Sequence, residues 1–156
     1  MPKMVTHNAL EIGTAMPDGS VFAGLTADGK QQIFAMPTDM DAALTFSDAD
    51  KAVTTLNANK ALGHDDWIIP TQEQLNVLQQ NQHRGALNGT FSTKAGQASG
   101  SPDRYWSSTE DSDYPSFVHG IRFSDGDEYW GHRDHGRLSC RPVRLVAASA
   151  PAPTPR

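Results

Sequence analysis

Residues Tyr105 to Arg144 read YWSSTEDSDYPSFVHGIRFSDGDEYWGHRDHGRLSCRPVR, and they mix two kinds of sequence. Short apolar pieces (Tyr105-Trp106, Phe117-Val118, Ile121) alternate with tracts of Asp, Ser, Tyr, His, Gly and Arg. In PSFVHGIRF, the alternation predicts a strand with Phe117, His119, Ile121 and Phe123 on one face. SDGDEYW follows, with Asp125-Gly126 placed to turn a hairpin. LSCRPVRLV, Leu138 to Val146, reads as a last strand in which Pro142 marks an edge or a bulge.

Upstream the period changes. SVFAGL, Ser20 to Leu25, and QQIFAMP, Gln31 to Pro37, flank TADGK, whose Asp28-Gly29 predicts a β-hairpin. SDADKAVTTLNANK, Ser47 to Lys60, sets Ala49, Ala52, Val53 and Leu56 on one helical stripe, with Ser47 as N-cap and Gly63 as stop. Thr71 with Gln74 three positions on has capping-box spacing, and Leu75 and Leu78 supply a core stripe, so a second helix runs from Thr71 to Gln82. NGTFSTKAGQASGSPD, Asn88 to Asp103, reads as a long loop. Helices come early and strands late, which predicts an α+β class.

The chain has 156 residues, enough for one domain with a core of its own, here placed at residues 1–146. AASAPAPTPR, residues 147–156, reads as an extended, poorly ordered Pro/Ala-rich tail. A formal net charge of -5 argues against a phosphate-tracking surface, so nucleic acid is not an expected partner. No apolar run reaches membrane-spanning length, so membrane insertion is not expected, and MPKMVTHNALEIG lacks the apolar core of a secretory signal, so no export signal is visible. Phage particle, cell surface and cytoplasm all remain open as locations. Cys140 is the single cysteine, which excludes an intrachain disulfide and a Cys-rich zinc site.

Four separated segments then occur in order: GHDDWIIPTQEQLNVL (Gly63 to Leu78), YWSSTE (Tyr105 to Glu110), FSDG (Phe123 to Gly126) and CRPVR (Cys140 to Arg144). With MPDGSVFAGLTADGKQQIFAMP near the start, the chain from Gly13 to Val146 resembles a bacterial C-type-lectin-like domain family. That family includes the C-terminal domains of collagen-like adhesins and the variable proteins of diversity-generating retroelements. The resemblance implies two helices packed on small antiparallel sheets with long loops. In a diversity-generating system, a reverse transcriptase copies a template with errors at adenines, scattering residues such as Asp, Ser, Tyr, His, Gly, Arg and Pro through the product. Asp111 to Ser116 and Gly131 to Gly136 consist only of such residues, within a candidate variable region 105–144. Trp106, Phe117, Ile121, Phe123 and Val143 would be the fixed anchors between them.

The expected ligand-binding residues are Asp111, Ser112, Asp113, Tyr114, Ser116, His119, Asp127, Tyr129, His132, Arg133, Asp134 and His135. They would meet an unidentified macromolecule, protein or glycan, with Tyr as rigid contact and the polar residues as adaptable ones. The alternative is an adhesin domain of fixed specificity, for which Arg133, Arg137, Arg141 and Arg144 would form a basic strip toward polyanionic glycans. Trp67 and Trp106 are expected in the core. His132 and His135 have an HxxH spacing, but a loop without a third ligand proposes no metal. Cys140 is expected to be structural, because a reactive thiol needs an exposed electropositive setting with a base nearby. Asp125 and Asp127 fit a turn as well as a calcium site, and the acidic-amide cluster of a sugar-binding calcium centre is not evident. No nucleophile, base and orienting group stand at catalytic spacing, so the expectation is a protein without enzymatic activity or cofactor. No oligomer interface can be read from the chain.

Overall fold

A computed structural model describes residues 10–40, 43–93 and 101–148 of the chain. The expected first hairpin forms from β1 (Val21–Leu25) and β2 (Gln31–Ala35). Asp28 closes its turn by accepting from the Thr26 hydroxyl at 2.6 Å and the Lys30 N–H at 2.9 Å, while Gly29 takes a φ of 72°.

Helix α1 spans Phe46–Ala58 and buries Ala49 and Val53 of the expected stripe. Its N-cap is Thr45 rather than Ser47, whose hydroxyl instead donates to Asp134 at 2.6 Å. The helix stops at Asn59, before Gly63, and the chain then makes a 3-10 turn, Ala61–Gly63. Helix α2, Gln72–Gln80, starts with the capping box read from the sequence: the Thr71 hydroxyl accepts from the Gln74 N–H, and Gln74 Oε1 accepts from the Thr71 N–H.

Five strands follow: β3 (Ser101–Glu110), β4 (Phe117–Arg122), β5 (Glu128–His132), β6 (Leu138–Ser139) and β7 (Val143–Ala147). Strand β3 begins at Ser101, inside the stretch expected to be loop. The expected last strand is two, because the chain leaves one sheet after Ser139 and enters the other at Val143, with Pro142 in the passage. β7 continues to Ala147, the first residue assigned to the tail; residues 149–156 of that tail lie outside the described residues.

The first sheet has the order β1-β2-β7 and joins the N-terminal hairpin to the C-terminal strand. The second has the order β5-β4-β3-β6, antiparallel except for the short parallel pairing of β6 with β3. That parallel pair is reached because the chain crosses from β5 past two strands to the far edge.

One core cluster joins Val21, Ile33, Leu75, Leu78, Phe91, Tyr105, Phe123 and Val143 between the sheets and α2. A second joins Phe46, Val53, Trp67, Trp106, Val118, Leu138 and Cys140 between α1 and the second sheet. Trp67 and Trp106 are fully buried, as expected, and their indole N–H groups donate to the carbonyls of Ala61 and Leu44. Cys140 is buried too, and burial together with the Asp39 charge pushes its thiol up to about 12, which suits a packing residue.

The expected single face of β4 is divided. Ile121 and Phe123 enter the cluster with Leu75 and Leu78, whereas Phe117 and His119 are half-exposed. Val118, on the opposite face, is the buried anchor in place of Phe117. The physical reason is that β4 is covered on both faces over different parts of its length, so strict alternation cannot describe it.

Candidate functional site

The two polar tracts close the same end of the second sheet. Between β3 and β4, Asp111 organises the loop: its Oδ2 accepts from the N–H groups of Asp113 and Tyr114, and its Oδ1 lies 3.0 Å from His119 Nε2. The Tyr114 carbonyl accepts from the Phe117 N–H at 2.8 Å, which completes the turn. After β5, the 132–136 turn is closed by the Gly136 N–H on the His132 carbonyl and by the Asp134 N–H on His132 Nδ1. One backbone bond, Arg133 N–H to the Ser116 carbonyl at 2.9 Å, ties the two loops together, and the Arg133 guanidinium reinforces it on Glu110 at 3.0 Å.

Most candidate side chains meet at this end. Ser112, Asp113, Tyr114, Ser116, Asp134 and His135 are exposed, and His132 and Arg133 are half-exposed. Asp111 is the exception: at 7 % exposure it is a buried turn former whose oxygens are taken by the loop itself. The His119 hydrogen bond, opposed by burial and supported by the two loop N–H groups, holds its carboxyl below the usual range.

Strand register places His119 beside this group and turns Tyr129 away from it, and Asp127 lies at the far end of the hairpin. His119 stands opposite Trp130 and Phe117 opposite His132, so these four share a face. His119 and Trp130 stack at 5.3 Å, Phe117 meets His132 edge-on at 5.4 Å, and the His132 and His135 rings lie 4.4 Å apart. Tyr129 points to the opposite face, where it packs on the second core cluster beneath the Arg104 guanidinium. Asp127 sits in the far hairpin turn, paired with Arg122. Gly131, one of the residues read as free to vary, is buried, and a Cβ there would lie 2.6 Å from the Trp106 ring.

Trp130, half exposed, is an outward-facing aromatic of this hairpin absent from the expected site residues. Its signal was present: in EYWGH it has the same strand parity as His132, whereas Tyr129 does not. The basic strip is also dismantled. Arg141 is fully buried on Asp39, Arg144 forks onto Asp66, and Arg133 pairs with Glu110, leaving Arg137 as the exposed member. Among the described residues, no three His, Cys, Asp or Glu side chains gather as metal ligands, and no helix is long and apolar enough to cross a membrane.

A two-helix α+β domain whose terminal strands share one sheet, and whose second sheet carries long loops at one end, is a C-type-lectin-like domain. Residues 24–144 match the sequence model of the Lcl C-terminal domain family, and the chain belongs to that family. The family is one of bacterial C-type-lectin-like domains associated with variable proteins of diversity-generating retroelements and with adhesins. The match places this chain among C-type-lectin-like ligand-binding or adhesin domains. No curated protein matches it.

Proposed function

We propose that this protein is the variable protein of a diversity-generating retroelement, a non-enzymatic receptor that binds a protein or glycan through the joined loops 112–116 and 132–135. The observation that carries the reading is the Arg133 N–H bond to the Ser116 carbonyl. It unites two tracts of adenine-mutable residue types into one surface, using backbone atoms that do not depend on side-chain identity. The exposed side chains on that surface are free to change, because the packing beneath them comes from Trp106, Val118 and Leu138.

Tyr114 and Trp130 supply the large rigid contact area such a surface needs, and Ser, Asp and His supply adaptable hydrogen bonding. Loss of the basic strip counts against a fixed polyanion-binding adhesin. Sequencing the locus tests the proposal. An adjacent reverse-transcriptase gene, a near-copy of the coding region for Tyr105 to Arg144, and substitutions confined to adenine positions in the two loops are expected. A locus with no near-copy and no variation would overturn it.

A further inference from the structure

A cleft of about 350 Å³ lies on the first sheet, whereas the proposed binding loops belong to the second. It opens on the face that carries Phe34, opposite the face where Ile33 and Ala35 pack on α2. Met16, Pro17, Phe34 and Leu62 make its apolar wall; Asp18, Ser20, His64 and Arg144 make its polar rim. Asp18, His64 and Arg144 come from MPDGS, GHDDW and CRPVR, segments that the proposed binding surface leaves unused. They meet because Arg144 stands opposite Phe34 in the β2–β7 register and Asp18 pairs with His64 at 2.8 Å.

Two observations distinguish the cleft from an ordinary crevice. Leu62 is held over it at a φ of 53°, with Lys60 at 50°, left-handed conformations that residues with side chains adopt only when the surroundings impose them. Ala61, between the two, is anchored by the Trp67 indole N–H on its carbonyl at 2.9 Å. The second observation is a surplus of donors. Both carboxylates near the rim are occupied: Asp18 accepts from the Ser20 N–H and hydroxyl and pairs with His64, and Asp66 takes Nε and Nη2 of Arg144. Nη1 of Arg144 is left with no acceptor among the described residues.

We propose that this cleft is a second ligand site, for a small carboxylic acid with an apolar body of about phenyl size. The body lies against Met16, Phe34 and Leu62, and the carboxylate accepts from Arg144 Nη1, a charge-assisted bond on the edge of the guanidinium that Asp66 leaves open. The cleft volume falls in the range of small-molecule pockets, and a mostly apolar lining with one directed polar group is their usual composition.

The test titrates the isotope-labelled full chain with 3-phenylpropionate and with its neutral amide and alcohol, following backbone amide shifts. Shifts centred on Leu62, Phe34 and Arg144 are expected, with the acid bound about tenfold more tightly than either neutral probe. Arg144→Gln should remove the acid's advantage while keeping the weaker binding of the amide, and that retained binding reports an intact cleft. Glu73→Gln, exposed on α2 and part of neither surface, should leave the affinities of all three probes unchanged. Absence of shifts at these residues, equal affinity for all three probes in the wild-type protein, or shifts confined to residues 112–116 and 132–135 would each overturn the proposal.

Discussion

Arg141 is a buried cation held by a dense set of polar contacts. Its Nε and Nη2 meet Asp39, Nη1 donates to the Met36 carbonyl and Thr90 hydroxyl, Nη2 also donates to the Thr90 carbonyl, and the guanidinium lies 3.9 Å from the Phe91 ring centre. Burial raises the Asp39 carboxyl, while Arg141 and the Tyr105 hydroxyl draw it back. Removing the cation would strand the largely covered Asp39 carboxylate and the part-buried carbonyls of Thr90 and Met36, so Arg141→Ala should lower stability by about 3 kcal/mol in denaturant unfolding. CRPVR was legible as a motif, but this role was not, because Asp39 lies 102 residues away and no local pattern points to it. Asp111 was misread for a related reason: an acid in a polar tract reads as surface until the donors that occupy its oxygens are known. Its carboxyl is held below the usual range by His119 first, against burial, and by the loop N–H groups. A depressed carboxylate adds stability above its ordinary value near 4, and that stability is lost as pH falls through the folded value. Melting temperatures of the wild type and Asp111→Asn should therefore differ at neutral pH and converge below about pH 4. A constant difference across that window would contradict the assignment.

At the scale of elements, what was legible is local and what was not is long-range. The capping box at Thr71 and the Asp28-Gly29 and Asp125-Gly126 turns each depend on residues within a few positions, and each formed as read. The division of Leu138 to Val146 between two sheets depends on partners elsewhere: Ser139 on Tyr105, and Val143 on Ala35 and Ile68. The β4–β5 hairpin shows the same contrast. Its register decides that Trp130 faces outward with His119, while Gly131 passes directly over Trp106. Composition alone put Gly131 among the free positions. Gly131→Ala should destabilise by about 1 to 3 kcal/mol through overpacking. Simultaneous replacement of Ser112, Asp113, Ser116 and His135 by other adenine-mutable residue types should leave each position within about 0.5 kcal/mol of neutral. Thermal melts of the two variants decide whether the boundary between scaffold and surface runs where the register puts it.

In the whole molecule, one end of the second sheet carries exposed polar loops and the strands beneath them are packed on both core clusters. At this end the packing beneath the loops comes from Trp106, Val118 and Leu138, and one backbone hydrogen bond joins the two loops, so new side chains at the exposed positions 112–114, 116, 134 and 135 alter the surface without reaching the packing; Arg133, whose guanidinium lies over the Phe46 ring, is the exception. The fold class and the two exposed polar tracts were readable from the chain. Which aromatic residues face solvent at this end was not, since it needed the register that turns Tyr129 inward and Trp130 outward. Tyr114 and Trp130, at 63 % and 50 % exposure, are the large side chains of this end that the fold does not use. Truncated aromatic contacts at an interface cost about 2 kcal/mol or more, so Tyr114→Ala and Trp130→Ala should each weaken binding to a selected ligand by about thirtyfold. Their melting temperatures should stay at the wild-type value. Tyr129→Ala should do the reverse, because its ring packs on the second core cluster. A ligand can be obtained by selecting loop libraries built on this scaffold, with affinity and melting temperature measured on the same variants. If Tyr129→Ala abolishes binding in a fully folded protein while Trp130→Ala leaves it intact, the binding surface is on the other face of the hairpin.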